Sequence, residues 1–169
     1  LRRSFAAKSA TARTSTVAIH AGENLNPHIL DSAPPLHMST TFSVKEPLSF
    51  SANELKESDP YCYTRWANPT VRTLEQKLAA LEGLEGSAHC VTFGSGMAAS
   101  TAILFSLLKS GDHIVVSDTQ YPGVAEIVRY TLPRFGIDYT IVNASSIDEI
   151  GAALRPGQTK LVWIETPCN

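Results

Sequence analysis

Between Val91 and Ala99 an apolar run of strand type breaks into two glycines and restarts at once as an apolar helix, Val91-Thr92-Phe93-Gly94-Ser95-Gly96-Met97-Ala98-Ala99. A junction of this kind can cradle an anion. Gly94 and Gly96 allow positive φ and close backbone approach, and a helix start aims unpaired N–H groups and a positive dipole end at one spot. The same spacing also serves plain strand-to-helix connections, so the loop by itself is either a phosphate site or a turn. It has neither the three-glycine dinucleotide spacing nor a lysine followed by serine or threonine after the last glycine. A small monophosphate held by main-chain amides therefore fits better than a nucleotide.

Two further places carry side chains suited to such a ligand. Tyr121 precedes Pro122-Gly123 after an apolar run, which sets it on a turn where its ring either stacks on a flat ligand or packs under a loop. Tyr63 and Arg65 stand in a polar connection, and a guanidinium there can clamp phosphate in bidentate fashion or remain a solvated surface group. His20, His28 and His37 have no ligand-like spacing and read as surface or hydrogen-bonding histidines, so no metal site is expected. Cys62, Cys90 and Cys168 are odd in number and far apart, which argues against a disulfide framework or zinc, with Cys90 an inert thiol.

The elements that must position these groups begin at Asn68-Pro69, a cap and first helical residue, with Val71, Leu74, Leu78 and Leu81 on one face and Gly83 and Gly86 ending the helix. Strands are expected at 89–93, 113–117, 139–142 and 161–165. Helices are expected from Gly96 to about Ser110, around Val124 to Leu132, and after Ser146, where Glu149 completes a capping box. Alternating strands and helices imply a mainly parallel sheet whose ligand crevice lies beyond the carboxyl ends of its strands. Gly94 to Met97, Asp118 to Tyr121 and Thr166 to Asn169 follow three such ends.

Composition bounds the rest. The 169 residues are 43% hydrophobic with a formal charge of -2, enough for an ordinary core and without the basic footprint of a nucleic-acid binder. No apolar run approaches the ~20 residues of a membrane span. Residues 1–22 carry Arg2, Arg3, Lys8 and Arg13 among Ser and Thr with no acid, and read as a basic flexible or transit-like terminus. A cytoplasmic protein is the default, with a mitochondrial or plastid location the alternative. Residues 23–67, proline-rich and aperiodic, form an extended arm whose Pro34-Pro35-Leu36, Met38 and Phe42 can anchor it on its own or a neighbouring subunit. Residues 68–169 form the α/β part.

Taken in order, Tyr63-Thr64-Arg65-Trp66-Ala67-Asn68-Pro69-Thr70, Leu81-Glu82-Gly83, Ser95-Gly96-Met97-Ala98-Ala99, Gly111-Asp112-His113 and Glu165-Thr166-Pro167-Cys168-Asn169 resemble the pyridoxal-phosphate-dependent Cys/Met metabolism family. The resemblance runs from Ala18 to Asn169. It implies an N-terminal arm followed by the first part of a large domain of aspartate aminotransferase fold type I, and chemistry on sulfur amino acids or activated homoserine by elimination or replacement at the β or γ carbon.

It also assigns roles. Gly96 and Met97 would hold the cofactor phosphate through their amides, with Ser95 assisting, and Tyr121 would stack on the pyridine ring. Tyr63 and Arg65 match positions that reach the phosphate of a neighbouring subunit's cofactor, within homodimers paired into tetramers. Asn169 would lie near the ring hydroxyl, supported by Glu165. Tyr121-Pro122-Gly123-Val124 departs from the family's usual Tyr-Gly-Gly-Thr and lacks the cysteine that methionine γ-lyases tend to carry after the tyrosine. The Schiff-base lysine and the acid at the pyridine nitrogen have no matching context, Lys160 standing before a strand. The expectation is an N-terminal part of a longer enzyme, inactive alone; the alternative is a truncated, non-catalytic homologue that associates with a full-length relative.

Overall fold

In the second half of the chain a single strand of five fully buried residues carries the architecture. This strand, β1 (His113–Ser117), is flanked by β2 (Asp138–Val142) and β3 (Thr159–Trp163), giving a parallel sheet of order β2-β1-β3. A central parallel strand covered on both faces has no side to show to water, which is why its centre, Ile114-Val115-Val116, is a continuous apolar run while His113 and Ser117 are buried at its ends. The computed structural model describes residues 13–23, 31–45, 59–84 and 90–168. His28, Gly86, His89, Asn169 and the basic residues Arg2, Arg3 and Lys8 lie outside them. The chain divides into two compact units, Leu1–Thr92 and Phe93–Asn169.

In the first unit, α1 (Thr14–His20) is a short helix inside the stretch read as a basic terminus. It packs on α2 (Pro69–Leu81), and the Lys77 ammonium donates to the Ile19 carbonyl at 2.6 Å, satisfying an acceptor near the α1 end. The α2 helix starts as expected, with Asn68 Oδ1 accepting from the Thr70 amide and Pro69 at the first position. Its apolar face does not turn inward, however. Val71, Leu74, Leu78 and Leu81 remain 39–48% exposed, while Glu75 and Ala79 are buried. The Glu75 carboxylate explains that rotation, since it accepts from the Thr92 amide at 3.1 Å and from Arg72 at 3.1 Å.

The bond from Thr92 also accounts for a correction at 89–93. No strand forms among the described residues 90–93; the Thr92 amide, which a ladder would need, is committed to a side chain. Among its described residues the arm holds one isolated antiparallel bridge, Thr41 with Tyr63. Phe42 packs on Tyr61 with ring centroids 5.6 Å apart, whereas Leu36 and Met38 stand 76% and 88% exposed and do not anchor the arm on its own subunit.

In the second unit, α3 (Gly96–Leu107) and the helix beginning with α4 (Pro122–Glu126) pack their apolar sides on β1. Leu104, Ile114, Val116, Val128 and Leu132 are completely inaccessible, each contributing about 1.5–3 kcal/mol by leaving water. After α4 the helix widens into a π turn (Ile127–Thr131), tightens into a 3₁₀ turn (Leu132–Phe135), and stops at Gly136 with φ of 71°. Pro133 cannot donate to a continued helix, and a left-handed glycine is the standard stop. The short helix α5 (Ile147–Ala153) is capped by Ser146 Oγ, which accepts from the Glu149 amide at 3.2 Å. The capping box is only half made, because the Glu149 carboxylate accepts from the Asn143 amide instead of from that of Ser146.

On the other face of β1, the His113 ring joins all three strands. Nδ1 pairs with Thr159 Oγ1 at 2.8 Å and Nε2 with Thr140 Oγ1 at 2.9 Å. Burial, reinforced by the Arg155 guanidinium, holds this imidazole below its ordinary pKa, with the Asp138 carboxylate opposing. Asp138 itself is held low by a hydrogen bond from Arg155, then by the Tyr139 amide.

Candidate functional site

The Gly94-Ser95-Gly96 turn delivers the start of α3 with its donors unspent. Ser95 is extended (φ -155°, ψ 155°) and its Oγ accepts from the Ala98 amide at 3.1 Å, while its carbonyl takes the Ala99 amide at 3.2 Å. The amides of Gly96 and Met97, the first two helical residues, precede any possible intrahelical acceptor and point out of the helix start. Neither Gly94 nor Gly96 has the positive φ expected of it. Their contribution is empty space: a Cβ at either would meet nothing within 4 Å. An anion can therefore approach the amides without displacing protein atoms, and the absence of an acidic residue from the first turn leaves the helix dipole uncompensated.

Tyr121 caps α4 just beyond β1 with its side chain half exposed. Its own amide is held by Glu165, whose Oε2 accepts it at 2.8 Å across 44 residues of sequence. The other carboxylate oxygen of Glu165 accepts from Trp163 Nε1 at 3.0 Å. Glu165 thus lies past the end of β3, which stops at Trp163, two residues short of the expected strand. One carboxylate spans from the tip of β3 to the loop after β1, so the stacking candidate is fixed by the strand-end residue. Met97 and Tyr121 side chains converge on Gly123, each with an atom 2.8 Å from where a Cβ would stand. The start of α3 and the Tyr121 ring accordingly lie side by side beyond the carboxyl end of β1, as the two walls of a candidate cup.

Gln120 is a site feature that sequence reading missed. Its Nε2 donates to the Ser117 carbonyl at 2.9 Å, and its Oε1 is the one buried side-chain oxygen or nitrogen without a partner among the described residues. Only its position, one residue before Tyr121, signalled it.

Tyr63 and Arg65 lie in the first unit, on a loop closed by Trp66 and Ala67 amides donating to the Tyr63 carbonyl. The Arg65 guanidinium sits 5.4 Å from the centre of the Tyr63 ring, and Trp66 meets that ring edge-on. Arg65 is exposed and makes no ion pair among the described residues. Asn68 holds the loop against the arm, donating through Nδ2 to the His37 carbonyl and Thr64 Oγ1. Asn169 falls outside the described residues, and no group of metal ligands occurs among those described.

A family model described as Cys/Met metabolism PLP-dependent enzyme matches residues 15–169. An L-methionine gamma-lyase of Fusobacterium nucleatum subsp. polymorphum is 39% identical over 156 residues, covering 91% of this chain and 38% of that protein. A cystathionine gamma-synthase of Mycobacterium bovis is 37% identical over 154 residues, covering 91% and 37%. A Campylobacter jejuni structure described as an O-acetylhomoserine (thiol)-lyase superposes with a TM-score of 0.80 at 26% identity. It covers 94% of this chain and 38% of its own, and contains N'-pyridoxyl-lysine-5'-monophosphate. The chain thus spans less than two fifths of the length of the proteins it matches.

Proposed function

Because the chain belongs to the Cys/Met metabolism PLP-dependent enzymes, we propose that its second unit forms the phosphate cup and stacking wall of an enzyme acting on sulfur amino acids. The reaction class is elimination or replacement at the β or γ carbon of cystathionine, methionine or an activated homoserine. One observation carries this reading: the open start of α3, with two donor amides and no competing acid, shares a cup with the half-exposed Tyr121 ring.

The residues present fit the group. Gly96 and Met97 amides and the Ser95 hydroxyl would hold a phosphate dianion, Tyr121 would cover one face of a flat ring, and Glu165 would keep Tyr121 in place. Pyridoxal phosphate, when bound, supplies the electron sink that such bond cleavages need. The protein's part is to fix the ring's tilt and to shelter one face from water, so that the substrate meets it in a set orientation. Tyr63 and Arg65 would serve a neighbouring subunit's phosphate within homodimers paired into tetramers. Support for that lies in an exposed guanidinium with no ion-pair partner among the described residues and in Leu36 and Met38 facing solvent on the same arm.

Gly96→Pro tests the cup. Proline is tolerated at the first helical position, the extended Ser95 suits a following proline, and open space surrounds the site, so the helix survives while one phosphate donor is lost. Titration with pyridoxal 5'-phosphate and with pyridoxal is expected to show phosphate-dependent binding that falls about tenfold or more in the variant, from one lost charge-assisted bond. Equal affinities for the two ligands in the unaltered chain, or no loss in the variant, would remove the reading.

A further inference from the structure

Gly123 occupies the second helical position of α4 with no positive φ, so its backbone makes no demand for glycine. Its surroundings do. A Cβ built there stands 2.8 Å from Tyr121 Cε1, 2.8 Å from Met97 Sδ and 3.3 Å from Met97 Cε. The first two distances are closer than real methyl contacts, so the space a side chain would take is already filled from two directions. One occupant comes from the residue whose amide heads α3, the other from the ring facing the cup.

We propose that Gly123 is a positioning residue for the cofactor ring: the hydrogen in place of its side chain lets the Met97 thioether and the Tyr121 ring meet, and that contact sets the ring's tilt over the phosphate cup. The proposal rests on the reading of this cup as a pyridoxal phosphate site. Both close atoms sit on movable side chains and none on backbone, so an added methyl displaces the ring without unfolding the helix. Alanine also has the better helix propensity at a position whose backbone is already helical. Gly123 therefore acts through Tyr121 and touches no ligand.

The test uses the full chain and the variant Gly123→Ala. Without ligand, nuclear Overhauser contacts between the Met97 methyl and the Tyr121 ring are expected in the unaltered protein and lost in the variant, with thermal unfolding unchanged or raised. Pyridoxal 5'-phosphate affinity is expected to fall about fivefold as the stacking geometry is lost, with inorganic phosphate affinity unaltered, since the α3 amides do not move. A second variant, Met97→Ala, keeps the glycine and the Met97 amide but removes the thioether, and is expected to lose pyridoxal 5'-phosphate affinity by a similar factor with inorganic phosphate affinity unaltered. The proposal is overturned if the Met97–Tyr121 contact persists in Gly123→Ala, if cofactor affinity stays the same, if phosphate affinity falls in parallel, or if Met97→Ala binds the cofactor as tightly as the unaltered chain. Failure of the unaltered chain to prefer pyridoxal 5'-phosphate over pyridoxal would instead overturn the site reading, and the proposal with it, while the ligand-free contact still reports the geometry separately.

Discussion

Replacing Glu165 with alanine should loosen the cup from a distance, and the size of the effect can be worked from its two hydrogen bonds. The carboxylate accepts from the Tyr121 amide at 2.8 Å and from Trp163 Nε1 at 3.0 Å. Charge-assisted bonds of this kind contribute roughly 1.5–3 kcal/mol each when sheltered. Tyr121 is half exposed, so water can replace part of its bond, and Trp163 is only partly buried. Solvent access puts both below that range, at about 1 kcal/mol each, giving a net loss of about 2 kcal/mol. For a chain of this size that lowers the melting temperature by roughly 4–8 °C. Glu165→Gln keeps one acceptor but turns an NH₂ toward the other donor, so about half of the loss should remain. Amide hydrogen exchange at Tyr121 gives the local readout: protection should fall sharply in Glu165→Ala and partly in Glu165→Gln. If Glu165→Ala melts within a degree of the unaltered chain and Tyr121 exchanges at the same rate, the carboxylate does not hold that loop and the reasoning is wrong.

Asn68→Ala should destabilise the first unit by about 2 kcal/mol in urea denaturation, since a helix cap and a sheltered donation to His37 are lost together; Asn68→Asp, which keeps the cap, should cost about half. Ser95→Ala should cost about 1 kcal/mol through the lost cap on Ala98 and should also weaken phosphate-dependent binding, because the hydroxyl donor goes while the Gly96 and Met97 amides remain, and a titration would check it. The pH dependence of unfolding should carry a His113 component. Its folded pKa is lowered, so the unfolded state takes up the proton first as pH falls below about 6.5, and stability drops by at most about 1.4 kcal/mol per pH unit until the folded pKa is reached. The groups facing the ring are Thr140, Thr159, Arg155 and Asp138, and the Asp138 carboxyl is itself held below the ordinary carboxylate range by its hydrogen bond from Arg155. Denaturation at pH 7.5 and 5.5 should therefore show a smaller difference in His113→Gln than in the unaltered chain.

Local signals in the chain were sufficient for most element positions. Asn68-Pro69 caps its helix through the Thr70 amide as its residue types dictate, Ser95 and Ser146 do the same for α3 and α5, and the β-branched run 114–116 forms the centre of the buried strand. These depend on contacts within four residues or on a run too apolar to face water, so they can be read along the chain. The ordered motifs likewise carried the family, which the match over residues 15–169 shows.

Tertiary structure decided what depends on partners far apart in sequence. Periodicity marked the apolar face of α2 but could not reveal that Glu75 turns inward to take the Thr92 amide, which also keeps 90–93 from forming a strand. Glycines 94 and 96 suggested a left-handed turn, whereas their use is to leave the helix start open. The motif marked Glu165 as a neighbour of Asn169, but only the fold sets its carboxylate against the Tyr121 amide, 44 residues away. Gly123 looks like a turn residue until Met97 and Tyr121 close on it. Short-range propensity fixes where a helix or strand begins, but which side chain fills which space is settled only when distant segments compete for the same volume and the same hydrogen-bond partners.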